Sequence, residues 1–196
     1  MRPSILAFLA ALSLGGSVTA LAAVPPGIDD LSSRAADGTR TLRQSVVVAA
    51  AVPVVWTAFT TTDGYRSWAM PVASVDFRVG GTIEASYVPG ATLGDANNIR
   101  NEIIAYAPER MFAIRNRNVP ADAPFDVATF QSLHTVVLFD DAGGGRTRVT
   151  IMQPGYGQGE KFAKLWGFFE WGNGATLAAL RDRFVHGPTD WSKPRG

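Results

Sequence analysis

The hydrophobic pattern is most regular in the last third of the chain. Residues 133–139 and 147–152 predict two β-strands joined by a glycine-rich turn at 140–145. After a short loop, residues 160–184 repeat apolar side chains at helical spacing, which predicts one long helix. At about 100° per residue, one stripe of that helix collects Phe162, Trp166, Phe169, Asn173, Leu177, Leu180 and Phe184.

Upstream of residue 133 the pattern predicts five further strands and a short helical region. The first strand is followed by Pro53, which suits the first turn of a helix, and residues 65–68 predict another helical turn. Residues 75–79 alternate between apolar and polar before the Gly80-Gly81 turn signal. The predicted strands are residues 41–50, 75–79, 82–87, 99–106 and 110–116, with long loops at 89–97 and 118–130.

These elements define an α+β domain with seven antiparallel strands and a closing helix. A long helix against a twisted antiparallel sheet can enclose a cavity instead of a solid core. Asn173 is the informative residue of the helix, because a buried amide without partners costs about 1–3 kcal/mol. Its partner is then a ligand, a side chain of a strand or a trapped water.

Composition and charge limit the possible cellular location, partners and chemistry of the protein. Residues 5–14 form an apolar run after Arg2, and Ala20-Leu21-Ala22 is a small-x-small cleavage signal, so we expect residues 1–22 to be a secretory signal peptide and the protein to be periplasmic or secreted. Without them the chain carries 17 basic and 17 acidic residues, which disfavours nucleic acid or anionic membranes as partners. The chain has no Cys, so disulfides and thiolate chemistry are excluded.

The order of several motifs resembles one superfamily. None is specific alone, but their succession resembles the SRPBCC or START-like proteins, and within them the homologues of the activator of the heat-shock protein 90 ATPase. The resemblance covers residues 41–184. It rests on VPVVWTAFT at 52–60, YRSW at 65–68, VDFRVGG at 75–81, NEIIAYAPERMFAI at 101–114, GRTRVT at 145–150, Gly155-Tyr156 and the closing helix at 165–180.

This resemblance implies a helix-grip fold, in which a curved sheet wraps the C-terminal helix and leaves a cavity for lipids or other apolar molecules. We expect residues 23–40 to be a flexible leader, 41–186 the START-like domain and 187–196 a tail. The branch offers no common catalytic set to transfer, and export would separate the chain from a cytosolic chaperone. The cavity candidates are Trp56, Trp68, Phe77, Tyr87, Arg100, Phe112, Trp166, Phe169 and Asn173.

The favoured hypothesis is therefore non-covalent binding of a hydrophobic small molecule or lipid, without cofactor or metal. A cyclase- or hydrolase-like enzyme is the second hypothesis, with His134 or Glu102 as the acid or base. Arg100 and Glu102 would orient a polar ligand if they point inward, but an outward surface pair is favoured. A third hypothesis is a protein-interaction module that uses Phe168, Trp171 or residues 23–40.

Overall fold

Nine strands form one open antiparallel sheet in the computed structural model, which describes residues 24–193. The predicted signal peptide lies outside these residues. The strands follow the order β1-β3-β9-β8-β7-β6-β5-β4, and β2 also pairs with β3. Their bounds are β1 Asp29–Asp30, β2 Ser33–Arg34, β3 Arg40–Val48, β4 Val72–Val75, β5 Thr82–Ser86, β6 Ile99–Ala107, β7 Met111–Asn118, β8 Thr135–Gly143 and β9 Arg146–Tyr156.

Within the described residues, four helices accompany the sheet. The long C-terminal helix is the largest and packs across β3, with further contacts to β9. Sheet and helix together form the helix-grip fold that the resemblance implied. The helices are α1 Val52–Thr60, α2 Thr62–Arg66, α3 Val127–Gln131 and α4 Glu160–His186.

Alternation along the central strands directs one set of side chains toward α4. Leu42, Val46 and Val48 on β3 lie on this concave face, and each is at most 1% exposed. Directly paired residues of neighbouring strands share a face. The Val46–Val149 and Phe139–Val149 pairs therefore extend the same apolar layer across β9 and β8. The pattern thus places the core between the sheet and its helices.

The strand predicted at residues 75–79 is displaced in the structure. β4 ends at Val75, and Val79 is 60% exposed. The reason is a turn: Arg78 N donates to the Asp76 carbonyl at 3.0 Å, and Gly80 has φ +78. A Cβ atom at Gly81 would lie 2.1 Å from the Asp76 carbonyl oxygen, so the tight turn requires glycine there.

Two regions without predicted structure contain short elements. α3 lies in the predicted loop at 118–130, where Asp126 Oδ1 accepts from Thr129 N at 2.8 Å and caps the helix. Residues 23–40, assigned to a flexible leader, include β1 and β2, which pair with the edge of β3. The Asp29–Arg148 ion pair, at 2.8 Å, joins this segment to β9.

None of the helices within residues 24–193 is long and apolar enough to cross a membrane.

Candidate functional site

The space beneath α4 contains two apolar clusters. The C-terminal half of α4 contributes Leu177 and Leu180 to the larger cluster, which also holds Phe59, Phe112 and Phe139. The N-terminal half contributes Leu165 to a second, more aromatic cluster. This aromatic cluster consists of Leu42, Leu133, Tyr156 and Leu165, with Phe125, Phe130, Phe162, Trp166 and Phe169 packed against them.

Polar side chains lie beside these clusters under the middle of α4. We call Gln44, Thr135, Gln153, Tyr156 and Asn173 the polar layer. Gln153 is its centre: its Oε1 accepts from Tyr156 OH at 2.9 Å and from Asn173 Nδ2 at 3.2 Å. Its Nε2 donates to Thr135 Oγ1 at 2.9 Å. Asn173, the polar interruption of the helical stripe, therefore bonds to a side chain of a strand.

Gln44 lies on β3 and has no exposed surface. Its Nε2 donates to the Glu170 backbone carbonyl of α4 at 2.9 Å. Its Oε1 is buried and has no hydrogen-bond partner in the structure. An unsatisfied buried acceptor costs about 1–3 kcal/mol, so this oxygen marks a place that a hydrogen-bond donor would stabilise.

The electrostatics of the polar layer keep it neutral. Burial raises the pKa of the Tyr156 phenol, against the opposing charge of Arg40. Arg40 itself lies 4.3 Å from the centre of the Trp166 ring, a cation–π geometry at the rim of the aromatic cluster. The layer therefore offers amides and hydroxyls as donors and acceptors.

α3 closes the aromatic cluster from the side of β7. Phe130 stacks on Phe169 with ring centres 4.7 Å apart, and Phe125 lies 5.7 Å from the same ring. Asp126 holds α3 in place, because its Oδ2 accepts from Lys161 Nζ on α4 at 2.9 Å. The hydrogen bond from Lys161, with those from Thr129, lowers the pKa of Asp126.

The structure divides the predicted cavity residues into three groups. Trp56, Trp68, Phe77 and Phe112 pack within the large apolar cluster or against it. Trp166, Phe169 and Asn173 lie at the aromatic cluster and the polar layer. Tyr87 and Arg100 lie apart from both: Tyr87 is 42% exposed, and Arg100 belongs to a loop anchor on β6.

That anchor holds the loop before β6. Glu84 Oε1 accepts from Asn98 Nδ2 and Gly94 N, both at 2.6 Å, and from Arg100 Nη2 at 3.4 Å. Burial would raise the pKa of Glu84, but these hydrogen bonds outweigh it and the net pKa is lowered. The Glu84 carboxylate is therefore ionised, and in that form it holds the loop in place.

The residues proposed for catalysis are not members of the polar layer. Glu102 pairs with Arg117 and lies on the face of β6 opposite to the buried Ile103. His134 is half-buried at the start of β8. Within residues 24–193, no group of three or more His, Asp or Glu side chains is arranged to hold a metal ion.

The sequence pattern did not single out Gln44, Gln153 or the rings of Phe125 and Phe130 at α3. Gln44 stands between Leu42 and Val46 in an alternating strand, and Gln153 continues the buried series of Val149 and Ile151. Each is a polar residue at a position where the period predicts an apolar one. The same signal singled out Asn173 on the helix, and applied to the strands it finds these two glutamines.

Two surface grooves within residues 24–193 lie elsewhere, at the C-terminal end of α4. One, of about 390 Å³, is lined by α1, α2, Arg183 and Phe184; the other, of about 310 Å³, lies between α4 and residues 187–189. Both contact Arg183, whose Nε donates to Ser67 Oγ at 3.0 Å. Neither groove touches the polar layer.

Fold and interior together define a helix-grip protein whose helix covers a buried polar layer. The profile of the family described as "Activator of Hsp90 ATPase homolog 1-like protein" matches residues 49–184, and the chain belongs to that family. Among curated protein sequences, none matches it significantly.

Solved structures share the fold at low sequence identity. The Aha1 dimer from Colwellia psychrerythraea aligns with TM-score 0.55 and 16% identity over 75% of this chain and 97% of its own. CalU16 from Micromonospora echinospora aligns with TM-score 0.55 and 17% identity over 83% of this chain and 86% of its own. DynU16, from the dynemicin biosynthetic locus, aligns with TM-score 0.52 and 18% identity over 76% of this chain and 48% of its own. At such identities the likeness establishes the fold alone.

Proposed function

We propose that this protein binds a hydrophobic small molecule or lipid, non-covalently, between α4 and the concave face of the sheet. The observation that carries the proposal is the buried Oε1 of Gln44, an acceptor of the polar layer that has no hydrogen-bond partner in the structure. A ligand with a hydroxyl or amine group would supply the missing donor. The polar layer would fix its orientation, as the few polar groups of apolar binding sites do.

Aromatic side chains would supply most of the affinity. Buried apolar surface contributes about 25 cal/mol per Å², and the aromatic cluster offers the rings of Phe130, Trp166 and Phe169. Phe130 covers Phe169. We therefore propose that binding displaces α3, a helix of five residues held by its cap, by the rings of Phe130 and the preceding Phe125, and by Lys161.

The arrangement favours binding over catalysis. Two glutamines, an asparagine, a threonine and a tyrosine form the layer, and the raised pKa of Tyr156 keeps its proton in place near neutral pH. Such groups select and orient a ligand, whereas general acid–base catalysis uses a group whose pKa lies near the operating pH.

A protein partner is the second candidate, since the family is named for activators of the Hsp90 ATPase. The aromatic patch considered for it is partly covered: Phe168 lies 4.9 Å from Phe125, ring centre to ring centre. Half-burial of Phe168 and Trp171 favours the small-molecule proposal over a docking surface at this place.

Competition between two matched ligands tests the binding proposal. The fluorescent probe 1-N-phenylnaphthylamine is first bound to the protein. It is then displaced with 1-dodecanol or with the methyl ether of 1-dodecanol, which lacks the hydroxyl donor. We expect the alcohol to compete about fivefold better, the factor that corresponds to one hydrogen bond. Gln44→Met, of similar volume, should retain probe binding and lose this preference.

Two results would overturn it. One is a protein that binds neither probe nor any apolar molecule from its host, as judged by native mass spectrometry. The other is an alcohol preference that survives in Gln44→Met, which would assign the donor to another site. Gln158→Met, at an exposed position, is the control and should behave as the unaltered protein does.

We also propose that binding takes place after export. The proposal rests on the apolar run at residues 5–14 and the Ala20-Leu21-Ala22 signal. Intact-mass measurement of the protein from periplasmic and extracellular fractions should give a chain that begins after about Ala22. Recovery of the full-length chain from the cytosol alone would refute export.

A further inference from the structure

Residues 24–28 lie along the flank of α4 that faces β3; we call them the strap. The strap lies outside the matched family region of residues 49–184. It lies against α4, the helix that covers the proposed site.

The strap is built around a turn. Ile28 N donates to the Pro25 carbonyl at 3.3 Å, and Gly27 has φ +80. Pro26 and Gly27 at the two central positions, with positive φ at the second, are the signature of a type II β-turn. The turn is thus favoured by the local sequence, so little conformational entropy remains to be lost when the strap docks on α4.

Three contacts dock the strap on α4. Arg181 Nη1 donates to the Pro26 carbonyl at 2.7 Å. Ile28 packs against the large apolar cluster. At Gly174 the helix has no side chain and the strap fills the notch: a Cβ atom there would lie 2.9 Å from Pro25 Cδ and 3.3 Å from Val24 Cγ1.

The notch adjoins the unpartnered acceptor of the polar layer. Gln44 Oε1 lies 3.8 Å from that same Cβ position of Gly174. The strap therefore covers the side of α4 on which Gln44 Oε1 is buried.

We propose that the strap is a displaceable cover that closes the β3-side opening of the ligand site over Gln44. The inference rests on the proposed binding function, whose site it regulates. An apolar ligand with a donor group enters when the strap leaves the Gly174 notch, and redocking of the strap encloses the donor against Gln44.

A matched pair of glycine substitutions tests the cover. Gly174→Ala would collide with the rigid Pro25 ring, whereas a Cβ atom at Gly172 meets nothing within 4 Å. Gly172→Ala therefore reproduces the change in helix propensity without touching the strap. Arg181→Ala is an independent variant that removes the hydrogen bond to Pro26 and leaves the notch unchanged.

Two readouts separate the strap from the site. Hydrogen exchange of residues 24–34, followed by mass spectrometry, reports strap docking without ligand. Stopped-flow binding of 1-N-phenylnaphthylamine reports entry. In Gly174→Ala and Arg181→Ala we expect faster exchange of the strap and a raised association rate, in Arg181→Ala by about fivefold, the factor for one lost hydrogen bond. Gly172→Ala should match the unaltered protein in both.

The outcomes are distinguishable. If the strap exchanges faster in both variants but the probe binds at an unchanged rate, the strap is not a cover and the binding function stands. If exchange of the strap is unchanged in both variants, the docking contacts are wrongly assigned and the inference fails. If no form of the protein binds the probe or any host-derived apolar molecule, the binding function itself fails, and the inference fails with it.

Discussion

At the scale of single residues, the interior depends on amides in positions that the pattern reserves for apolar side chains. Gln153 accepts two hydrogen bonds and donates one, so a single side chain links Thr135, Tyr156 and Asn173. Buried networks of this kind are costly when one member is lost. The layer thus fixes the register of α4 on the sheet, because sliding the helix would separate Asn173 from Gln153.

Tyr156 makes the layer sensitive to alkaline pH. Burial raises the pKa of its phenol above the ordinary 10.0. The folded protein then keeps this proton at pH values where the unfolded chain has released it. The free energy of unfolding is therefore at its full value below pH 10 and falls above it, by about 1.4 kcal/mol per pH unit for this group.

The variant Tyr156→Phe checks this assignment by urea denaturation between pH 7 and pH 11. We expect a loss of about 1 kcal/mol at pH 7 from the missing hydrogen bond, and a smaller decrease above pH 10. Burial also raises the pKa of Tyr65. Part of the alkaline decrease in the free energy of unfolding therefore remains in Tyr156→Phe. The exposed Tyr106 provides the control, Tyr106→Phe. Parallel alkaline slopes in Tyr156→Phe and the unaltered protein would refute the role.

At the scale of elements, the glycines of the helices differ in the space around their Cα atoms. Gly172 on α4 has open space where a side chain would be, whereas a Cβ atom at Gly64 on α2 would lie 2.2 Å from the Thr57 carbonyl oxygen. Gly172→Ala should raise the free energy of unfolding by about 1 kcal/mol through helix propensity. Gly64→Ala should lower it by about 1–3 kcal/mol, since α1 and α2 must separate.

Urea denaturation of the two glycine variants, with unchanged circular dichroism as the criterion for an intact fold, measures both effects. A Gly64→Ala protein as stable as the unaltered one would show that the α1–α2 contact yields without cost. A destabilised Gly172→Ala would mean that residue 172 has a packing role that its open surroundings do not indicate.

The sequence predicts those elements best whose period is long or whose turns are marked by glycine. α4 begins at Glu160 as predicted and continues two residues beyond the predicted end. All seven predicted strands have counterparts, although the strand expected at 75–79 lies at 72–75. α3, β1 and β2 were not foreseen, because segments of two to five residues are too short to show a period. Their positions depend on tertiary partners: Phe169 for α3, and the free edge of β3 for the other two.

The sequence predicted less of the candidate site than of the fold. Asn173 and the aromatic residues of α4 were found because a helical stripe shows its exceptions. Which strand residues meet Asn173 depends on register across three strands, β3, β9 and β8, and that information is tertiary. The pairing of Thr135 with Gln153, and the position of Gln44 opposite Glu170, follow only once the sheet is assembled.

At the scale of the whole molecule, α4 is the only described helix that contributes buried side chains to both apolar clusters. Leu165 lies in the aromatic cluster and Leu177 in the large one, and neither has exposed surface. If α4 couples the clusters, Leu165→Ala and Leu177→Ala should each lower the free energy of global unfolding by about 2–5 kcal/mol. Fluorescence and circular dichroism should then give coincident transitions in both variants.

The two clusters nevertheless differ in what covers them. The large cluster is enclosed by α1 and the central strands, whereas the aromatic cluster is closed by α3, whose five residues make few contacts with the rest. A binding site needs one part of the molecule that opens at low cost while the rest stays folded. Hydrogen exchange should therefore show residues 124–133 opening locally in the unaltered protein and more readily in Leu165→Ala, with residues 135–152 protected in both. Equal exchange of the two regions would mean that α3 unfolds only with the whole domain, and that a ligand could not displace it locally.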